Sequence, residues 1–182
     1  MPIWVKDIMS KPVYTIDVDK TAKDAGELIR KIRRGCVIIV KDGNPVGIVT
    51  DSDLIKKVVA INAKADQLEI KDIMSKPLVV VRPDDDILIA VRKMKKSNIH
   101  RLPVIGEQGK IVGLISLSDI AKTSPEMLDL LEYRLKMKEM PTEIREELTY
   151  GVCDSCENLS GDLRKAGNQW LCESCRDELE TG

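Results

Sequence analysis

Four cysteines near the end of the chain carry its clearest chemistry. Cys153-x-x-Cys156 and Cys172-x-x-Cys175 are separated by fifteen residues, the spacing of a four-thiolate metal site. Each pair makes a knuckle in which two sulfurs meet one ion, and Trp170 can cover the apolar side. A segment of about thirty residues cannot bury enough surface to fold alone. A metal therefore has to supply the missing free energy. Two disulfides are the competing reading. They are disfavoured in a chain whose first residues do not read as a signal peptide and whose expected compartment is the cytoplasm. A closed four-sulfur site leaves no open position for a substrate, so hydrolytic metal catalysis is not expected.

A second chemical pattern occurs twice. Thr50-x-x-Asp53 and Ser116-x-x-Asp119 each place a hydroxyl three residues before a carboxylate at an expected helix start. On pattern alone these are capping boxes, which satisfy orphan helix N–H groups. Both belong to a longer duplication. Val5-Lys6-Asp7-Ile8-Met9-Ser10-Lys11-Pro12 returns 65 positions later as Ile70-Lys71-Asp72-Ile73-Met74-Ser75-Lys76-Pro77. Gly47-Ile48-Val49-Thr50-Asp51-Ser52-Asp53-Leu54 is echoed 66 positions later by Gly113-Leu114-Ile115-Ser116-Leu117-Ser118-Asp119-Ile120. The extra residue falls near Gly43 and Gly109, where a turn tolerates an insertion. A duplicated unit of this size can pack against its copy and form paired clefts.

Each repeat reads as strand, helix, strand, strand, helix, a mixed α/β (α+β) pattern. In the first, residues 12–18 are extended, and a helix over residues 21–33 puts Ala22, Ala25, Ile29 and Ile32 on one face. Val37-Ile38-Ile39-Val40 is a buried strand, Asp42-Gly43-Asn44-Pro45 a turn, and residues 46–49 the return strand. A second helix begins around Asp51 with Leu54, Ile55, Val58 and Val59 on its expected buried face. The second repeat sets Ile87, Ala90, Val91 and Met94 on the matching face of its first helix. Asp84, Asp85 and Asp86 open that helix and Arg92, Lys93, Lys95 and Lys96 close it, both complementing the macrodipole. Its strands are Leu102-Pro103-Val104-Ile105 and residues 111–115, joined by a turn over 107–110. Ser124-Pro125-Glu126 marks a further helix start. The expected divisions are residues 1–65, 66–123, a helical linker over 124–150, and the cysteine segment over 151–182.

Two copies of D-I-M-S-x-P followed by an apolar pair, a hydroxyl and an aspartate resemble the cystathionine β-synthase (CBS) domain pair over roughly residues 1–123. The resemblance implies two β-α-β-β-α motifs packed pseudo-symmetrically, with clefts that bind adenine nucleotides or S-adenosyl compounds, and a tendency to dimerise. It also implies that Thr50, Asp53, Ser116 and Asp119 hold phosphate and ribose. A carboxylate accepts ribose hydroxyl protons, and a hydroxyl at a helix N-terminus sits beside N–H groups that attract phosphate. Ile99-His100-Arg101-Leu102-Pro103 resembles the family strand whose basic residue reaches phosphate. The first copy has Gly35-Cys36 there, so the two sites are expected to be unequal, with His100 and Arg101 serving the better anion binder. An ordinary surface or packed histidine is the alternative for His100. A buried, inert thiol is expected for Cys36, and a solvated helix end for Arg30, Lys31, Arg33 and Arg34.

The tail resembles a zinc ribbon, although Cys175-Arg176-Asp177-Glu178-Leu179 can begin a helix, as in a treble-clef finger. Zinc is the first choice because it favours tetrahedral sulfur. Iron in a rubredoxin-like site uses the same four thiolates, but Asp154-Ser155 and Glu173-Ser174 lack the Pro and Gly usual around such knuckles. The expected role is that of a non-enzymatic regulator: the CBS pair binds an adenine nucleotide, and the metal-bound tail contacts a protein partner. Nucleic-acid binding through the tail and electron transfer through iron are the alternatives. Net charge is −1, with 29 basic against 30 acidic residues. That balance provides no global field for nucleic acid or an anionic membrane. In the tail, Arg164, Lys165 and Arg176 are outnumbered by acidic residues. With no Phe, two Trp and three Tyr, the chain is poorly supplied for stacking bases. No apolar run is long enough to span a bilayer. An enzyme is not expected, because the sequence offers no nucleophile–base pair, no phosphate-cradling glycine loop and no second histidine.

Overall fold

The computed structural model describes residues 3–123 and 149–180. The helix expected from Ser124 lies outside them, and the last two residues of the expected linker, Thr149 and Tyr150, belong to a strand. Elements follow the duplication: α1 (Val5–Ile8), β1 (Thr15–Asp17), α2 (Ala22–Ile32), β2 (Cys36–Lys41), β3 (Asn44–Thr50) and α3 (Asp51–Leu54), which continues as a π-turn over Ile55–Val59. The second series is α4 (Ile70–Ile73), β4 (Leu78–Val79), α5 (Ile87–Ser97), β5 (Arg101–Ile105), β6 (Ile111–Ser116) and α6 (Leu117–Thr123). The tail adds β7 (Thr149–Val152), β8 (Leu159–Ser160), β9 (Arg164–Ala166), β10 (Gln169–Leu171) and α7 (Glu173–Glu180).

These elements form two compact units that do not follow the linear order of the repeats. Among the described residues, one holds 3–12 and 79–123, the other 13–78 and 149–180. The opening Asp-Ile-Met-Ser segment of each repeat thus packs with the body of the other. In the first unit, Val5 joins a core of Val81, Ile87, Met94, Leu102 and Ile115, and Ser10 exchanges backbone hydrogen bonds with Leu114 at 2.7 and 3.1 Å. In the second, Ile70 and Ile73 join Val37, Ile39, Val49 and Val58, and Ser75 exchanges bonds with Ile48 at 2.8 and 3.1 Å.

Within the second unit β1 runs parallel to β2, and β2 runs antiparallel to β3, with Cys36 opposite Thr50. In the first unit β5 pairs antiparallel with β6, with Arg101 opposite Ser116. The two hairpins are copies. Each carries one bulge, between Ile39 and Val40 and between Val104 and Ile105. Helix α2 starts at a capping box formed by Thr21 and Asp24, and α5 starts at Asp86, whose side chain accepts from Leu88 N at 2.8 Å.

Three expectations meet local physics. Ala22 and Ala25 are buried with Ile29 and Ile32 against the same core, so the amphipathic face of α2 is as read. Cys36 is buried. After α3, however, Leu54 and Val58 pack inward while Ile55 and Val59 are 60% and 71% exposed. The inward stripe holds positions four apart, and their neighbours lie a further 100° round the helix. Lys93, one of the basic residues that close α5, is buried, and its ammonium donates to Val80 O at 2.8 Å.

Two glycines set the closeness of the exchanged segments. A Cβ on Gly47 would lie 2.6 Å from Met74 Sδ and 3.2 Å from Ser75 O, and one on Gly113 would overlap Met9 Sδ. Each methionine side chain therefore lies flat on a bare strand backbone. Gly113→Ala is expected to destabilise the protein by about 1–3 kcal/mol, read as a lower melting temperature. Met9→Ala in the same chain should restore part of that loss, whereas Met9→Ala alone should be destabilising.

Candidate functional site

The duplicated hydroxyl–carboxylate pairs each build a cluster with a serine from the other repeat. In the second unit, Asp53 Oδ2 accepts from Thr50 N at 2.9 Å and from the Thr50 hydroxyl at 2.7 Å, while Asp53 N donates back to Thr50 Oγ1 at 3.1 Å. Its other oxygen accepts from the Ser75 hydroxyl at 3.1 Å and faces Lys57 Nζ at 3.2 Å. The first unit repeats this. Asp119 Oδ2 accepts from Ser116 N at 2.9 Å and from the Ser116 hydroxyl at 2.6 Å, and Asp119 Oδ1 accepts from the Ser10 hydroxyl at 2.8 Å. The capping-box geometry is thus present in both copies. Capping leaves one carboxylate oxygen of each aspartate turned to a serine from the other repeat, and a carboxylate oxygen can take more than one donor.

Ser10, Ser75 and Lys57 were not among the residues singled out from sequence. The signal for the serines was available, because both copies carry Ser after Ile-Met. Lys57 anchors on Ile73 O at 2.7 Å as well as on Asp53, and its partner in the other copy is Thr123, so no pattern marked it. His100 is exposed, and its carbonyl accepts from Leu117 N at 3.1 Å. Arg101 is half-buried and stands across the ladder from Ser116, the place Cys36 takes opposite Thr50. The position opposite the helix-opening hydroxyl is therefore a basic residue in one copy and a cysteine in the other.

Burial raises the Asp53 carboxyl, but the Thr50 hydroxyl and N–H and then Lys57 outweigh it and hold the group below its usual range. A carboxyl depressed on folding contributes stability at pH values above its unfolded value of 3.8 and loses it as pH falls through the folded value. Asp53→Asn should therefore lower the melting temperature at pH 7, and the gap to the parent protein should close as the medium is taken below pH 3.8.

In the tail, β7 and β8 flank the first knuckle and pair through Gly151–Ser160 and Val152–Leu159. The hairpin of β9 and β10 leads to Cys172, and Cys175 sits in the first turn of α7. Entry of the second pair into a helix is the treble-clef feature. The four Sγ atoms lie within 4.8 Å of one another. An ion with sulfur at about 2.3 Å in a tetrahedron needs sulfurs about 3.8 Å apart, and Cys156 and Cys172 stand at 3.7 Å. Soft donors, count and spacing fit a structural four-thiolate centre.

Backbone N–H groups prepare the site. Burial acts to raise the Cys153 thiol, yet the N–H groups of Cys156, Cys172 and Ser155 bring it down to about 6. Cys175 is pushed up to about 12, first by its hydrogen bond with Cys172, then by burial. The donors turned on Cys153 favour its thiolate, and a bound cation would favour the thiolate form of all its sulfur ligands. Structural zinc contributes about 10–16 kcal/mol to the folding of comparable segments. Chelation at pH 7 is therefore expected to remove hydrogen-exchange protection from residues 149–180 while protection of β2 and β3 persists.

The CBS domain matches residues 5–60 and 70–126, and the chain belongs to the CBS domain family, a group of regulatory, non-catalytic sensor modules. An uncharacterized protein of Methanopyrus kandleri is 32% identical over 187 residues, spanning 97% of this chain and 92% of its own. The structure of the CBS domain pair of protein MJ0100 in complex with 5′-methylthioadenosine and S-adenosyl-L-methionine is similar at 31% identity and TM-score 0.62, covering 68% of this chain and 96% of that one. A CBS domain protein of Pyrobaculum aerophilum complexed with AMP shares the fold at 22% identity and TM-score 0.65, over 72% of this chain and 99% of that one. No helix among the described residues is long and apolar enough to cross a membrane.

Proposed function

We propose that the chain is a sensor whose two aspartate–hydroxyl clusters bind adenosine-containing ligands. The observation carrying this reading is the repeated cluster: in each unit a carboxylate oxygen is turned to a serine hydroxyl that a ribose hydroxyl can replace without leaving a lone pair unsatisfied. The related domain pair in complex with two sulfur-containing adenosine compounds supports the ligand class. The clusters differ in charge. Arg101 beside Ser116 favours a phosphate, so that cluster takes a nucleotide such as AMP, ADP or ATP. Cys36 beside Thr50 brings no charge, and that cluster takes adenosine compounds without phosphate.

The four-cysteine tail holds Zn²⁺ in this reading, with Cys153, Cys156, Cys172 and Cys175 as ligands, and serves as the contact for a protein partner. Two copies associate through apolar surface that includes the exposed Ile55, Val59 and Ile61. Sensing then consists of a ligand favouring one arrangement of the chain over another, and it shifts the equilibrium only by that difference in affinity.

Calorimetry with AMP, ATP, S-adenosylmethionine and methylthioadenosine tests the ligand reading. At a ligand concentration of 100 Kd the protein gains about 2.7 kcal/mol, seen as a higher melting temperature. Arg101→Ala is expected to weaken AMP by roughly ten- to hundredfold, the worth of one charge-assisted hydrogen bond, and to leave methylthioadenosine nearly unchanged. Absence of heat and of any thermal shift with all four would end this reading. Native mass spectrometry of the same sample reports metal mass and subunit number.

A further inference from the structure

The geometry points to an additional ligand site in the second unit, on the face where the metal-binding tail meets the sheet, which takes a small planar anion. A cleft of about 340 Å³ opens there, within the size range of small-molecule pockets. Its apolar surface comes from Val18, Val46, Met74, Pro77 and Val152. Trp170, half-buried, supplies an aromatic wall. Lys41, Lys71 and Lys76 line the cleft against two carboxylates, Asp19 and Asp154.

The charges are not equally available. Asp154 Oδ2 accepts from Trp170 N at 2.7 Å and Asp154 Oδ1 faces Lys76 Nζ at 3.4 Å, so this carboxylate is satisfied. Lys71 pairs with Glu69. Lys41 is exposed and makes no side-chain ion pair among the described residues. Exposed pairs such as Lys76–Asp154 are worth little and can be exchanged for a ligand anion. An aromatic ring against Trp170 with its negative group toward Lys41 and the exchangeable Lys76 uses the cleft's apolar and basic features, and Asp19 opposes it. Neutral ligands gain only the apolar surface.

This site is separate from the Thr50–Asp53 cluster. Lys41 ends β2, whose first residue Cys36 faces Thr50, and five strand residues span about 17 Å. The cleft does depend on the tail being folded. Asp154 lies between Cys153 and Cys156, Trp170 lies two positions before Cys172, and Asp154 N donates to Trp170 O at 2.9 Å. The knuckle that gathers the sulfurs therefore also builds one wall of the cleft.

The test is calorimetry on the metal-loaded full chain with 1-naphthoate, its neutral counterpart 1-naphthalenemethanol, and inorganic phosphate. Saturable one-to-one binding of naphthoate is expected, with weaker binding of the alcohol and of phosphate alone. Lys41→Gln should weaken naphthoate about two- to fivefold and Asp19→Asn should tighten it by a similar factor. Trp170→Leu should weaken it roughly tenfold, the value of a stacking partner. AMP titrated into Lys41→Gln and into Arg101→Ala separates the two sources of a planar anion. A loss with Lys41→Gln adds nucleotides to the ligands of this cleft, and a loss confined to Arg101→Ala leaves it to aromatic carboxylates. No saturable naphthoate binding at millimolar concentration overturns the proposal, as does binding that Lys41→Gln and Asp19→Asn both leave unchanged. Because Lys41 and Asp19 are exposed, neither variant threatens the fold, and failure here leaves the adenosine reading of the two clusters untouched.

Discussion

The hydrogen bond from a serine of one repeat to the aspartate of the other is the contact on which this architecture turns. Asp53 and Asp119 each commit one oxygen to their own helix start and the other to a serine about twenty or a hundred residues away in sequence. A half-buried carboxylate is costly unless its lone pairs are matched, so the exchange of segments between repeats satisfies an electrostatic demand as well as a packing one. The methionine beside each serine explains the bare strand backbone at Gly47 and Gly113, since a side chain there would occupy the thioether's place.

Duplication made the two clusters alike, and point differences have made them unlike. Opposite the hydroxyl that opens the helix, one copy carries Arg101 and the other Cys36, and Asp53 has Lys57 beside it. The segment from Ile70 to Pro77 has acquired further duties in the second unit. Ser75 reaches Asp53, Met74 covers Gly47, and Lys76 faces Asp154 of the first cysteine knuckle. The tail thus packs within the second unit, with Val152 against its core and Gly151 close against Pro77.

Much of the chemistry was legible along the chain because it depends on short-range spacing. Two C-x-x-C pairs state a ligand set, and hydroxyl-x-x-carboxylate states a capped helix start, whatever surrounds them. The same is true of α2, where a helical period marks the inward face. Long-range partners were not legible. Ser10 and Ser75 look like parts of a turn until the fold brings them to an aspartate. Ile55 and Val59 look like core until the helix shows which narrow stripe is covered. Lys93 reads as one of several basic residues closing a helix, and only the packing of α5 reveals the Val80 carbonyl that takes its ammonium.

The amino-acid order alone therefore determined that this is a twice-repeated α/β chain with a four-thiolate appendage, since repeats, periodicity and ligand spacing are local properties that survive without coordinates. Tertiary structure decided which repeat completes which cluster, that Lys57 stands beside Asp53, and where the tail rests. Those outcomes follow from pairings across scores of residues, and they are set by the requirement that every buried charge and backbone group find a partner at once.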